Sequence, residues 1–190
     1  RNYKIFKYPD STAKDLRKII SLKFKCKLNK IICGSGSDEV IQMICQLFIK
    51  PGDEVIVPAF TWVSTANAVL YCGAKPVFAD VDRKTNNINP DEVIRHVSEK
   101  TRAIIAVHLF GLCADIDGLR AVLPENVHII EDAACAAGAV YKGTSAGALG
   151  KAAAFSFHPR KSITTGEGGM IISKKKKILR AFYNSGIPGI

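Results

Sequence analysis

The segment Ser156-Phe157-His158-Pro159-Arg160-Lys161-Ser162-Ile163-Thr164-Thr165-Gly166-Glu167-Gly168-Gly169 gathers the residue types that could do covalent chemistry. Pro159 stops the apolar run before it from continuing as a strand, because proline cannot donate to a ladder. Lys161 follows in the turn, next to Arg160. An amine set beside a second cation in a pocket is more readily deprotonated, and a free amine forms Schiff bases with carbonyl carbons. Glycines 166, 168 and 169 would let the backbone pass close to a flat ring. Taken singly, Lys161 reads equally as one surface lysine among many; its neighbours single it out.

A second candidate is Asp132, which follows Val127-His128-Ile129-Ile130-Glu131. A carboxylate at the mouth of an apolar strand is partly desolvated and requires a cationic or hydrogen-bonding partner. A protonated pyridine nitrogen is such a partner, and the electron sink of pyridoxal phosphate (PLP) needs that nitrogen protonated. The same residue also reads as an N-cap for a helix starting at Ala133. A third candidate is Gly34-Ser35-Gly36-Ser37-Asp38-Glu39, a glycine-rich turn leaving a strand and entering a helix. Glu39 stands where a dinucleotide fingerprint has its third glycine, so only a general phosphate site remains. An ordinary strand–helix turn explains that loop equally well. Gly147-Ala148-Leu149-Gly150-Lys151-Ala152 ends like a P-loop, but its spacing is short and Ala152 replaces the required hydroxyl residue.

These candidates need a scaffold that brings them together. β-Branched, apolar runs at 30–33, 54–57, 76–81, 103–108, 127–131, 153–157 and 169–173 predict strands, several apolar throughout, as strands covered on both faces are. Helices are predicted between them. One is capped by Asp10 or Ser11 and runs through Phe24; one opens at Ser37 and runs to about Ile49 with Asp38 and Glu39 in its first turn. Another is introduced by Asn89-Pro90, and one begun near Ser64 ends at Gly73. Strands alternating with helices predict an α/β fold with a mainly parallel sheet, in one domain over residues 1–190. Ligands of such sheets sit beyond the carboxyl ends of the strands, which is where 34–38, 58–62, 132–135 and 158–161 fall.

Composition narrows the function classes. With 47% apolar and 23% charged residues the chain has the balance of a globular protein. No apolar run is long enough to span a bilayer, and no signal-like stretch follows the first residues, so a cytoplasmic protein without membrane contact is expected. The six cysteines (26, 33, 45, 72, 113 and 135) form no C-x-x-C pair, which argues against a zinc site and for separate reduced thiols. The formal charge of +10 is dispersed, apart from the lysine run 174–177. No aromatics interleave with the basic residues, so nucleic acid is not an expected partner.

Together the motifs resemble the PLP-dependent sugar aminotransferases of the DegT/DnrJ/EryC1/StrS family. The resemblance covers about residues 52–173. It is most specific at 156–169, at Ile130-Glu131-Asp132-Ala133-Ala134, and at Ala103-Ile104-Ile105-Ala106-Val107-His108-Leu109-Phe110-Gly111. It implies the large domain of an aspartate-aminotransferase-like fold. It also implies that Lys161 carries the Schiff base to PLP, that Asp132 pairs with the ring nitrogen and that Trp62 stacks on the ring. Ser156 and the Gly36-Ser37-Asp38 turn would then hold the phosphate. Cys135 stands near the ring hydroxyl, where the family has His or Gln. The implied reaction transfers an amino group from an amino acid, with glutamate the expected donor, to a nucleotide-linked keto-sugar, in a homodimer. The family also contains dehydratases with histidine in place of the lysine. A small C-terminal domain is expected beyond Ile190. Residues 7–57 also resemble histidinol-phosphate aminotransferases, as if two pieces met near Val57. An amino-acid-type aminotransferase and a non-catalytic PLP-binding fragment are therefore the alternative readings.

Overall fold

The computed structural model describes residues 10, 13–23, 28 and 31–173. Cys26, Ser11 and the lysine run 174–177 lie outside the described residues. Helix α1 (Lys14–Lys23) precedes β1 (Ile32–Gly34), and α2 (Ser37–Phe48), β2 (Glu54–Pro58), α3 (Ser64–Leu70) and β3 (Lys75–Ala79) follow. Next come α4 (Pro90–His96), β4 (Thr101–Val107), α5 (Ile116–Val122), β5 (His128–Asp132), β6 (Val140–Tyr141), β7 (Thr144–Ser145), β8 (Ala152–Ser156) and β9 (Gly169–Ile172). The main sheet has the order β1-β9-β8-β5-β4-β2-β3. Neighbours from β3 through β2, β4 and β5 to β8 are parallel, and β9 runs antiparallel to both β8 and β1. This is the expected α/β layer fold. The carboxyl ends of β1, β2, β4, β5 and β8 all lie at one end of it.

Strand alternation explains the apolar runs. In β4, Ala103, Ile105 and Val107 pack with α2 and α3, whereas Ile104 and Ala106 pack with α4 and α5 on the opposite face. Val55 and Val57 of β2 join the first face and Ile56 the second. A strand covered on both sides has no polar face, so its sequence shows no alternation. Each isoleucine fully buried here contributes about 1.5–3 kcal/mol relative to exposure.

The helix signals act locally as expected. The Asn89 side chain accepts from the Asp91 amide at 3.0 Å, with Pro90 at the first helical position. Gly73, at φ +69, turns the chain out of α3. The Asp10 carboxylate accepts from the Lys14 amide at 3.0 Å, the first residue of α1. Two elements are additions to the sequence reading. In α5, Asp115 accepts from Gly118 N at 3.1 Å, although Gly118 weakens the helical pattern. The β6–β7 hairpin turns at Lys142-Gly143, both at positive φ, as a two-residue hairpin turn requires.

The 147–150 loop has a different job from the phosphate binding its glycines suggested. Its amides at Gly147, Leu149 and Gly150 all donate to the Glu131 carboxylate, at 2.6 Å for Gly147 and 2.8 Å for Leu149. The loop is an anion site, and its anion belongs to the protein. Gly150 lies so close to the Ile129 carbonyl that a Cβ there would stand 2.5 Å from it. His108 completes the cage. Ala114 N–H donates to His108 Nδ1 at 3.1 Å, so the ring proton sits on Nε2 and points at Glu131 Oε2, 3.0 Å away. This buried cluster ties the end of β4, β5 and the entry to β8 into one frame.

Burial pushes the Glu131 carboxyl up, but the bonds from His108, Gly150 and Gly147 outweigh it and hold the group below its usual range. A carboxyl lowered in the folded state stabilises fully above its unfolded pKa and loses that contribution as pH falls through the folded value. Glu131→Gln is therefore expected to cost about 2–3 kcal/mol at pH 7, as charged hydrogen bonds in buried sites do. Urea unfolding at pH 7 and at pH 3.5 should show the gap between the two proteins narrowing in acid. A gap that is the same at both pH values contradicts this account.

Candidate active site

Asp132 is the last residue of β5, and no helix follows it, so the N-cap reading is corrected. The chain enters turns instead, and Ala134 N donates to Asp132 Oδ1 at 3.1 Å. The strand period sends Glu131 and Asp132 to opposite faces. Glu131 meets the 147–150 loop, whereas Asp132 faces α3, where the buried Thr65 hydroxyl donates to Oδ2 at 3.4 Å. Burial raises the Asp132 carboxyl above its ordinary range; the Ala134 amide and the positive charge of Lys161 oppose that rise. Among the described residues the hydrogen bonds to Asp132 come from neutral donors, and a buried carboxylate so held favours a cationic partner.

The Lys161 amine lies on the loop near it. Its loop leaves the buried Ser156 at the end of β8 and closes on itself at the neck. Phe157 N donates to Gly168 O at 2.7 Å, and Phe157 O accepts from Thr165 N at 3.1 Å. Within the loop, Lys161 N donates to His158 O at 2.9 Å, forming the turn that Pro159 introduces. The Lys161 Nζ donates to Cys135 Sγ at 3.2 Å. So Asp132, Cys135, Lys161 and Thr65 meet in one place. Arg160 is exposed.

The phosphate candidates occupy the same end of the sheet. Ser156 pairs across β9 with Gly169, which in turn pairs with Gly34 of β1. Gly169 matters here for a reason other than contact with a ring. A Cβ on it would stand 2.5 Å from the Gly36 carbonyl, so its bareness lets the Gly34–Ser37 turn fold over β9 toward Ser156. Gly36 precedes α2, whose first amides have no partner within the helix and face an anion favourably. Glu39 turns back to accept from Ser35 N at 2.6 Å, which fixes the turn. Ser37 donates to the exposed Asp38 carboxylate at 3.4 Å, so the part of Asp38 suited to a phosphate is its amide. Trp62 lies on the loop between β2 and α3; its carbonyl accepts from Thr65 N at 3.1 Å, and the residue is 66% exposed.

Thr65, His108 and Glu131 are the working residues that sequence reasoning did not single out. A glutamate inside an apolar strand was the available signal for the His108–Glu131 cage. Thr65 carried none of its own beyond its place three residues after Trp62. The donor set fits a flat, phosphorylated pyridine aldehyde. A buried carboxylate answers the ring nitrogen, an amine answers the aldehyde carbon, and a helix N-terminus with a buried serine answers the phosphate.

Comparison with known proteins shows the family to which this fold belongs. The chain is 46% identical over 148 residues to the pleiotropic regulatory protein of Geobacillus stearothermophilus, covering 77% of this chain and 40% of that protein. It is 43% identical over 157 residues to the GDP-perosamine synthase of Caulobacter vibrioides, covering 79% and 42%. The chain thus spans about two fifths of the length of these relatives. A sugar aminotransferase from Streptococcus pneumoniae, solved in apo, PLP and PMP forms, superposes in its apo form with a TM-score of 0.80 at 29% identity, covering 93% of this chain and 49% of that one. The family model that matches runs over residues 23–189, without a break at residue 57, and lends no support to a histidinol-phosphate-type piece there. By that match and by its fold, the chain belongs to the DegT/DnrJ/EryC1/StrS aminotransferase family.

Proposed function

We propose that this chain is the cofactor-holding part of a PLP-dependent aminotransferase that moves an amino group from glutamate to a nucleotide-linked keto-sugar. The observation that carries the reading is Asp132, a buried carboxylate whose hydrogen bonds among the described residues come from neutral donors, near the amine of Lys161. The substrate class rests on the relatives, one of which is a GDP-perosamine synthase. When bound, PLP supplies an electron sink that stabilises negative charge at a substrate carbon.

The protein's own residues would do the rest. Asp132 keeps a proton on the ring nitrogen by offering it a buried counter-charge. Lys161 takes up and returns protons, which needs a flexible amine within hydrogen-bond reach. A lysine here, where the dehydratases of the family have histidine, favours amino transfer over loss of water. The amides of Gly36, Ser37 and Asp38 and the Ser156 hydroxyl hold the phosphate, and Trp62 covers one face of the ring. Cys135 is a weaker hydrogen-bond partner than His or Gln and leaves the ring hydroxyl less firmly held. Phe60, Trp62, Phe110 and Ile163 expose apolar surface, which suits burial against a second copy in a homodimer.

Two outcomes check the proposal. Incubation with PLP followed by borohydride should place the pyridoxyl group on Lys161 in peptide mapping; a label on another lysine contradicts the assignment. Asp132→Asn should lower amino transfer on the order of 10²–10³-fold, as loss of a group aimed at developing charge does, while PLP remains bound at saturating concentration. Near-normal turnover would mean that the carboxylate has no part in the chemistry.

A further inference from the structure

Thr65 is fully buried, at the start of α3, and touches both sides of the site. Its amide donates to the Trp62 carbonyl at 3.1 Å. Its hydroxyl lies 3.4 Å from Asp132 Oδ2 and 3.3 Å from Thr61 Oγ1. Thr61 sits beside Trp62 on the loop that leaves β2. A threonine hydroxyl has one proton and can accept another bond. When Asp132 is ionised, the Thr65 proton points at the carboxylate and Thr61 donates to Thr65. The chain Thr61–Thr65–Asp132 is then polarised in one direction, each bond strengthening the next. When Asp132 is protonated, a carboxylic acid proton is available and the chain can reverse.

The two oxygens of Asp132 are thus secured differently. Oδ1 is held by the Ala134 amide, whose proton cannot turn away, whereas Oδ2 is held by a hydroxyl that can. We infer that Thr65 is a positioning residue that holds Asp132 ionised and aimed, and that couples this carboxylate to the loop carrying Trp62. The inference rests on the PLP reading of the site. It goes beyond that reading in placing control of the carboxylate in a hydroxyl that need not touch the cofactor. The direction of the Thr65 contribution to the carboxyl, which it lowers against the rise caused by burial, agrees with this role.

The test compares Thr65→Val, which keeps the shape and removes the hydroxyl, with Thr65→Ser, which keeps the hydroxyl. The Asp132 carboxyl is followed in the cofactor-free protein by carbon NMR across a pH titration, and PLP affinity is measured by absorbance titration at pH 7.5. In Thr65→Val the Asp132 titration should move upward, and the dissociation constant for PLP should rise about fivefold, the ratio for one hydrogen bond worth about 1 kcal/mol. Thr65→Ser should restore both. A merely structural role would lower the melting temperature of Thr65→Val without moving the Asp132 titration, and that result overturns the inference. So does a Thr65→Val protein that matches wild type in both readouts while wild type binds PLP. A wild-type protein that does not bind PLP overturns the cofactor reading itself, and a Thr65→Val titration that still moves would then separate the two failures.

Discussion

Everything in the site turns on one costly group, the Asp132 carboxylate at the end of β5. A carboxylate taken out of water loses several kcal/mol of hydration unless a charge replaces it. Two neutral donors, Ala134 N–H and the Thr65 hydroxyl, offset only part of that loss. A carboxyl raised by burial lowers stability near neutral pH, because the unfolded chain ionises more easily than the folded one. A cation that binds only the folded form recovers that loss through its affinity. The strain of an under-served carboxylate is thereby convertible into recognition of a cationic ring nitrogen.

Its neighbour Glu131 shows the alternative solution. It is also buried, but three loop amides and the His108 ring serve it, and its carboxyl is held low. Adjacent acids on one strand therefore do opposite work, because a strand sends successive side chains to opposite faces. One face receives a loop that cages a carboxylate and fixes the entry to β8. The other leaves a buried carboxylate whose hydrogen bonds come from one amide and one hydroxyl. The caged acid places Ser156 and the Lys161 loop, which leave the far end of β8, in register with Asp132. On the proposed function, structural and chemical duties are divided between two consecutive residues.

The layer fold was legible from the sequence because doubly covered strands are apolar throughout, and each of the seven predicted strands has a counterpart, shifted by one or two residues. The Asn89-Pro90 cap and the Gly73 exit were also readable, since each is a local effect, a side-chain hydrogen bond in one case and a positive φ in the other. What stayed hidden depends on packing between distant segments. The 147–150 loop looked like a defective phosphate loop because amides that bind a phosphate also bind a carboxylate. Asp132 read equally as a helix cap because the turn after it is set by the Ala154 carbonyl, which accepts from Ala133 N. The partnership of Thr65 with a residue 67 positions away had no local trace. The closeness of Lys161 to Cys135 likewise arises only once β5 and β8 pair.

The central claim is that Asp132 is built for a protonated ring nitrogen, and replacing that nitrogen tests it most directly. Dissociation constants would be measured for PLP and for its 1-deaza analogue, which has carbon in place of the ring nitrogen, on wild type and on Asp132→Asn. The account predicts that wild type prefers PLP by at least tenfold and that the preference falls to near unity in Asp132→Asn. Equal affinity of wild type for the two compounds, or a preference that survives removal of the carboxylate, would contradict it.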